Sequence, residues 1–186
     1  MFIFADLYTI EFQKRGLPHC HTLLRVTKPY KITSPKQVDN VISAEIPDAK
    51  HYPNLYKIVT ELMMHGPCGH AKRNAPCMAN ATCSKHFPKQ YEHVTRFDKN
   101  GYVHYRRRDD GTFTKNNNIQ LDDSYVVPYN HNLCSVFHAH INVEYCGWNM
   151  MIKYLFKYIS KGANHIRAKI TRCVNENTDA VANNMT

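Results

Sequence analysis

Two periodicities alternate along this chain, one of two residues and one of about 3.6. The shorter one comes first. Residues 2–12 are rich in aromatic and β-branched side chains, and from Tyr8 onward Tyr8, Ile10 and Phe12 fall on one face with Thr9 and Glu11 on the other. That pattern predicts a half-buried strand. Gln13-Lys14-Arg15-Gly16-Leu17-Pro18 supplies the basic and turn residues of a hairpin connection, and a second strand is predicted over 19–26. Residues 101–108 read as a strand ending in a basic cluster, and 125–130 as a short edge strand stopped by Pro128. Alternation returns over 137–145, where Ile141, Val143 and Tyr145 oppose His138, His140, Asn142 and Glu144.

The longer period marks helices. Ser34-Pro35 has the form of an N-cap followed by proline in the first turn, predicting a helix to about residue 44. Over 53–64, Leu55, Ile58, Val59, Leu62 and Met63 form a core stripe. Over 152–162, Ile152, Leu155, Phe156 and Ile159 share one arc, while Tyr154, Lys157, Tyr158 and Lys161 occupy the opposite one. Gly162 suits the position just past that helix. The predicted class is therefore α+β, with residues 1–174 as one domain and 175–186 as a polar tail.

Charge narrows the choice of partner. Twenty-four Lys and Arg against fifteen Asp and Glu leave a net +9. This is the electrostatic footprint of a nucleic-acid binder and is equally compatible with an anionic membrane surface. There is no run of 18 apolar residues to span a bilayer, and the first ten residues carry Asp6 and no basic segment, unlike a signal peptide. Seven cysteines without a secretion signal point to metal binding or free thiols rather than a disulfide framework.

Three constellations carry candidate chemistry. On the second predicted strand His19 and His21 point the same way, about 7 Å apart at the usual rise per residue, and can share one divalent cation; an incidental surface pair is the competing reading. Over about 63–90, His65, Cys68, Cys77 and Cys83 form a Cys3His set in a Gly/Pro/Asn-rich loop, with His70 and His86 as substitutes for the histidine. Structural zinc and free buried thiols both fit that irregular spacing. In the last helix, Tyr154-x-x-Lys157 and Tyr158-x-x-Lys161 place a phenol beside an ammonium, which favours the phenolate and can hold a phosphate. Snorkelling from an amphipathic helix gives the same pattern.

Taken together, these features resemble the Helitron helicase-like amino-terminal domain of eukaryotic Helitron transposons, a replication-initiator endonuclease with a His-hydrophobic-His motif. The resemblance is carried by Glu11-Phe12-Gln13-Lys14-Arg15-Gly16-Leu17-Pro18-His19-Cys20-His21, Ile42-Ser43-Ala44-Glu45-Ile46-Pro47-Asp48, His65-Gly66-Pro67-Cys68-Gly69, Cys83-Ser84-Lys85-His86-Phe87-Pro88-Lys89, His140-Ile141-Asn142-Val143-Glu144 and Lys153-Tyr154-Leu155-Phe156-Lys157-Tyr158. It implies a ferredoxin-like antiparallel sheet with flanking helices, into which the Cys/His-rich loop is inserted. It implies nicking and rejoining of single-stranded DNA in the nucleus during rolling-circle transposition. His19 and His21 would bind Mg²⁺ or Mn²⁺, with Glu144, His140 or Gln13 as third ligand, since an oxygen donor suits a hard cation.

By the same resemblance Tyr154 and Tyr158 are the paired nucleophiles, and Lys157 and Lys161 steady the phosphate. Arg15, Arg106, Arg107, Arg108, Lys153 and Arg167 line the DNA path. Proteins of this type continue into a helicase, but this sequence contains no Gly-x4-Gly-Lys-Ser/Thr loop, so ATP-driven unwinding is not expected of it. Cys20 replaces the hydrophobic residue of the motif. The abrupt start and end make a partial transposon copy an expectation, and a zinc-stapled nucleic-acid-binding module or an inactive relic is the alternative reading.

Overall fold

The computed structural model describes residues 3–12, 18–115, 119–147 and 166–170. It is a mixed helix and strand protein whose sheets are small and antiparallel. The chain divides into two compact units, Met1–Lys31 with Asn149–Thr186, and Ile32–Trp148.

In the first unit, β1 (Ile3–Phe12) lies between β2 (Pro18–Val26) and β9 (Ile166–Ile170), pairing antiparallel with both. The predicted strands over 2–12 and 19–26 are thus present almost to the residue. Register places Glu11 opposite His19, Thr9 opposite His21 and Leu7 opposite Leu23, with one irregularity between Ile3 and Ala5. Residues directly opposite in an antiparallel ladder share a face, as do residues two apart on one strand. Glu11, Thr9, His19 and His21 therefore occupy one face, with Thr9 buried.

The second unit is built around α2 (Pro53–Leu62), whose Leu55, Ile58 and Val59 are buried together with Met63 and Met64 just beyond its end. They pack with Leu121, Val126, Tyr129 and Cys134. Leu62, expected on this stripe, is 37% exposed. A smaller core joins Val38, Ile42 and Val103. The short pairs β5 (Arg96–Phe97) with β6 (Val103–His104) and β7 (Thr112–Lys115) with β8 (Ile119–Asp122) are both antiparallel.

Several elements differ from the periodicity reading for tertiary reasons. The helix predicted to reach residue 44 is only α1 (Pro35–Asp39). Its start is as expected: Ser34 Oγ accepts the Gln37 N–H, Gln37 Oε1 accepts the Ser34 N–H, and Pro35 opens the first turn. It ends early because Ser43 exchanges two backbone hydrogen bonds with Tyr129, both 2.9 Å, which helical geometry would forbid. The edge strand expected over 125–130 is replaced by a 3-10 turn, Asp123–Tyr125, and two isolated bridges, Met64 with Val126 and Ser43 with Tyr129.

The strand expected over 137–145 is corrected as well. Residues 131–137 form α3 (His131–Phe137), capped by Asn130 Oδ1 accepting the Leu133 N–H at 2.9 Å, and His138 adopts a left-handed conformation that ends it. Residues 141–145 do alternate in burial, with Val143 and Tyr145 packed on the smaller core, but among the described residues no ladder partner makes them a strand. The helix predicted over 152–162 lies outside the described residues. No helix among the described residues is long and apolar enough to cross a membrane.

Candidate functional site

Two groups of predicted site residues come together, one in each unit, and among the described residues the second alone is a set of ligand atoms close enough to hold a metal ion. In the first unit the imidazoles of His19 and His21 approach to 4.7 Å between ring centroids, nearly edge to face. Glu11 reaches across from β1, its Oε2 3.7 Å from His21 Nε2. Burial lowers the pKa of His21, His19 lowers it further, and Glu11 opposes both. The net result favours a neutral imidazole, the form that ligates metal. Sequence inspection did not single out Glu11, because the partner across a ladder depends on register. The hairpin reading held the signal: pairing Phe12 with Pro18 puts Glu11 opposite His19.

The other third-ligand candidates are placed differently. His140 and Glu144 belong to the second unit, where His140 Nδ1 lies 2.7 Å from the Leu62 carbonyl oxygen and Glu144 accepts from Asn142 Nδ2 at 3.0 Å. Gln13 lies outside the described residues.

In the second unit His65, Cys68, Cys77 and Cys83 converge, each offering a ligand atom, and all four atoms lie within 4.8 Å of one another. Cys83 Sγ is 3.3 Å from His65 Nε2. The chain reaches this geometry in three steps. α2 ends just before His65, whose N–H donates to the Tyr125 carbonyl at 2.8 Å. The next residues turn Cys68 into the interior. A two-residue hairpin, β3 (Met78–Ala79) and β4 (Thr82–Cys83), then brings Cys77 and Cys83 to the same point. His70 and His86, the sequence substitutes for His65, are exposed and outside the cluster.

The electrostatics suit a ligand set. Burial, aided by the charges of Lys89 and Lys85, lowers the pKa of His65 and keeps it neutral. Burial would raise Cys83, but backbone N–H groups of Phe87 and Lys85 and the neighbouring thiols of Cys77 and Cys68 more than offset it and hold this thiol below its ordinary range. Burial and then Cys83 push the Cys68 thiol up. Phe87 stacks on His65 at 4.2 Å, and Lys89 Nζ sits 4.9 Å above the same phenyl ring. This group can hold a metal ion such as zinc.

No protein-family model and no curated protein matches this chain.

The basic cluster of residues 106–108 is a hub of ion pairs and buried hydrogen bonds. Arg107 is 4% exposed. Its Nη1 donates to the carbonyls of Asp123 and Val126, both at 2.7 Å, and to that of Ala44 at 3.4 Å. Burial brings its pKa down to about 10, which leaves it cationic at neutral pH. Arg106 and Arg108 flank it and converge on Glu45: Arg108 Nε and Nη2 donate at 2.7 and 3.0 Å, and Arg106 Nε at 3.1 Å. Burial would raise Glu45, yet these two guanidiniums hold its carboxyl below the ordinary range.

Of the remaining predicted residues, Arg15, Lys153, Tyr154, Lys157, Tyr158 and Lys161 lie outside the described residues, and the backbone of Arg167 pairs with Tyr8 in β9.

Proposed function

We propose that this chain is the replication-initiator endonuclease part of a Helitron-type transposon, which nicks single-stranded DNA and transfers the strand. The observation that carries the reading is the pair His19 and His21 on one face of an antiparallel sheet with the Glu11 carboxylate beside them. Two imidazoles and a carboxylate are donors that would suit Mg²⁺ or Mn²⁺ with positions left for a phosphate, and they sit on a three-stranded antiparallel sheet with β1 in the middle. Such a cation supplies charge neutralisation at the non-bridging oxygens of a scissile phosphate.

The chain's own residues do the rest. The Tyr154 or Tyr158 oxygen attacks phosphorus, the bond from phosphorus to the 3′-oxygen breaks, and the phenolic proton ends on the released 3′-hydroxyl. The product is a 5′-phosphotyrosine that a later 3′-hydroxyl can resolve, so neither water nor ATP is consumed. Lys157 and Lys161 steady the phosphate as point charges. Arg15, Lys153 and Arg167 line the strand's path. Arg106 and Arg108 join it only by exchanging Glu45 for phosphate, and Arg107 contributes by holding them from inside.

The test is covalent capture. Purified protein is incubated with a labelled single-stranded oligonucleotide pool and Mn²⁺, and a protein-DNA adduct is sought on a denaturing gel. The band is expected to vanish with EDTA, with His19→Ala, and with Tyr154→Phe and Tyr158→Phe combined. Salt-sensitive binding without any adduct under any divalent metal sinks the nuclease reading.

A second reading, a nucleic-acid-binding module without catalysis, is favoured by one observation. Residues 62–91 contain Lys72, Arg73, Lys85 and Lys89 and no Asp or Glu, and Lys72, Arg73 and Lys85 are exposed. A one-signed surface of this kind attracts phosphate backbones whatever their sequence.

A further inference from the structure

We propose that His65, Cys68, Cys77 and Cys83 bind one Zn²⁺ as a closed, purely structural centre that clamps the end of α2 to the β3–β4 hairpin, chemically distinct from the His19 and His21 site.

The donor set argues for the metal. Three sulfurs and one imidazole with no carboxylate make a soft site, suited to zinc and poorly suited to Mg²⁺ or Mn²⁺. Tetrahedral zinc with its usual bond lengths puts sulfur and nitrogen ligands about 3.6 Å apart and two sulfurs about 3.8 Å apart. To reach this, the observed 3.3 Å between Cys83 Sγ and His65 Nε2 lengthens by about 0.3 Å, and the widest separation in the set, at most 4.8 Å, closes by about 1 Å or less. A disulfide explains the cluster less well, since three thiols leave one over and give His65 no part.

The surroundings argue for a structural role. The residues packed here are few: buried Cys68, Ala75 and Cys83, with Cys77, Met78, Phe87 and Tyr125 partly buried against them. The only strands are the two residues each of β3 and β4. So small a core does not hold a loop of this length without a staple. Four protein ligands fill a tetrahedral shell and leave no position for water or substrate, the mark that separates structural from catalytic zinc.

The next layer fits the charge. Three thiolates around Zn²⁺ leave a net −1, which is met by backbone N–H groups of Phe87 and Lys85 aimed at Cys83 and by Lys89 beside Phe87. The His65 N–H bond to the Tyr125 carbonyl carries the constraint into the main core.

The proposal stands on these four donors alone, so its test reads metal content rather than DNA cleavage. Protein purified under reducing conditions without added metal is expected to carry one zinc per chain, in wild type and in His19→Ala with His21→Ala alike. Cobalt substitution is expected to give the intense visible bands of a tetrahedral ion with thiolate charge transfer. His65→Cys keeps the zinc, because a fourth thiolate completes the shell, and His65→Ala weakens it by roughly 10-fold or more by analogy with ligand-shell losses. Because Cys→Ser variants can fail to fold, thiol titration of wild type supplies the independent reading. Exposed Cys20 and Cys146 react at once, and Cys68, Cys77 and Cys83 react only after chelation. A folded protein without zinc whose three loop thiols react before chelation, or zinc that leaves with the His19 and His21 variant, overturns the proposal.

Discussion

Arg107 Nη1 donates to the main-chain carbonyl of Asp123 at 2.7 Å from a position that solvent barely reaches. Together with the bonds to Val126 and Ala44, it ties the turn over 123–126 and the segment at Ala44 to its own through one cation. Among the described residues no buried side-chain nitrogen or oxygen lacks a hydrogen-bond partner, and Arg107 is one reason the carbonyls around it do not go unpaired either.

Arg107→Met is expected to destabilise the fold by about 3 kcal/mol, since it strands buried acceptors. Arg108→Met, which removes a half-exposed partner of Glu45, is expected to cost about 1 kcal/mol or less. Urea midpoints of the two variants measure the difference. Equal shifts would mean that Arg107 acts as a surface cation.

Asp123 sets a pH dependence. Burial raises its carboxyl to about 7, with Glu45 and Asp110 adding to the rise and the Ile46 N–H and Arg107 opposing it. The folded protein therefore holds a proton that the unfolded chain releases near pH 4. This contribution to stability is full below that value and declines as pH climbs to about 7, with a limiting slope of about 1.4 kcal/mol per pH unit. Asp123→Asn keeps the oxygen that accepts the Ile46 N–H and removes the proton. Relative to wild type, the variant should gain stability between pH 5 and pH 8, as followed by denaturant unfolding. A difference that stays constant with pH would show that Asp123 ionises normally.

The β3–β4 turn carries strain that a single substitution can relieve. Asn80 and Ala81 both have positive φ, 50° and 61°. Asparagine tolerates this and alanine does not. Ala81→Gly is expected to stabilise by about 1 kcal/mol, raising Tm by roughly 2–4 °C, with zinc content unchanged. An unchanged or lower Tm in thermal melts would contradict the left-handed turn.

Glu11 is expected to act as an oxygen ligand beside the two histidines. Glu11→Gln keeps the shape and loses the charge, so under the nuclease reading adduct formation should need about 10–100-fold more Mn²⁺, with full recovery at saturation. Identical Mn²⁺ dependence in the variant and wild type would remove Glu11 from the site.

How much of this was legible beforehand depended on the range of the interaction. β1 and β2 were readable because alternation is a property of neighbouring residues, and the facing of His19 and His21 follows from spacing alone. The stripe of α2 and the capping box at Ser34 are local in the same sense. The Cys/His spacing named the four residues that meet, and only the hairpin turn at Asn80 and Ala81 shows how they do.

Arg107 shows where local reading ends. In sequence it is the middle of three arginines and looks solvated; in the fold it is the one driven inside, because Ala44, Asp123 and Val126 arrive from distant segments with carbonyls to satisfy. Residues 141–145 show the converse: their alternation is real, but a strand also needs a partner edge, and none of the described residues supplies one. Sequence by itself determined periodicity, charge and the chemical type of each donor, because these reside in single residues and their near neighbours. Tertiary structure alone decided that Glu11 faces His19, that Glu45 gathers Arg106 and Arg108, and which thiol lies deepest, because each depends on which remote segments bury one another and on the need to pair every polar group they carry inside.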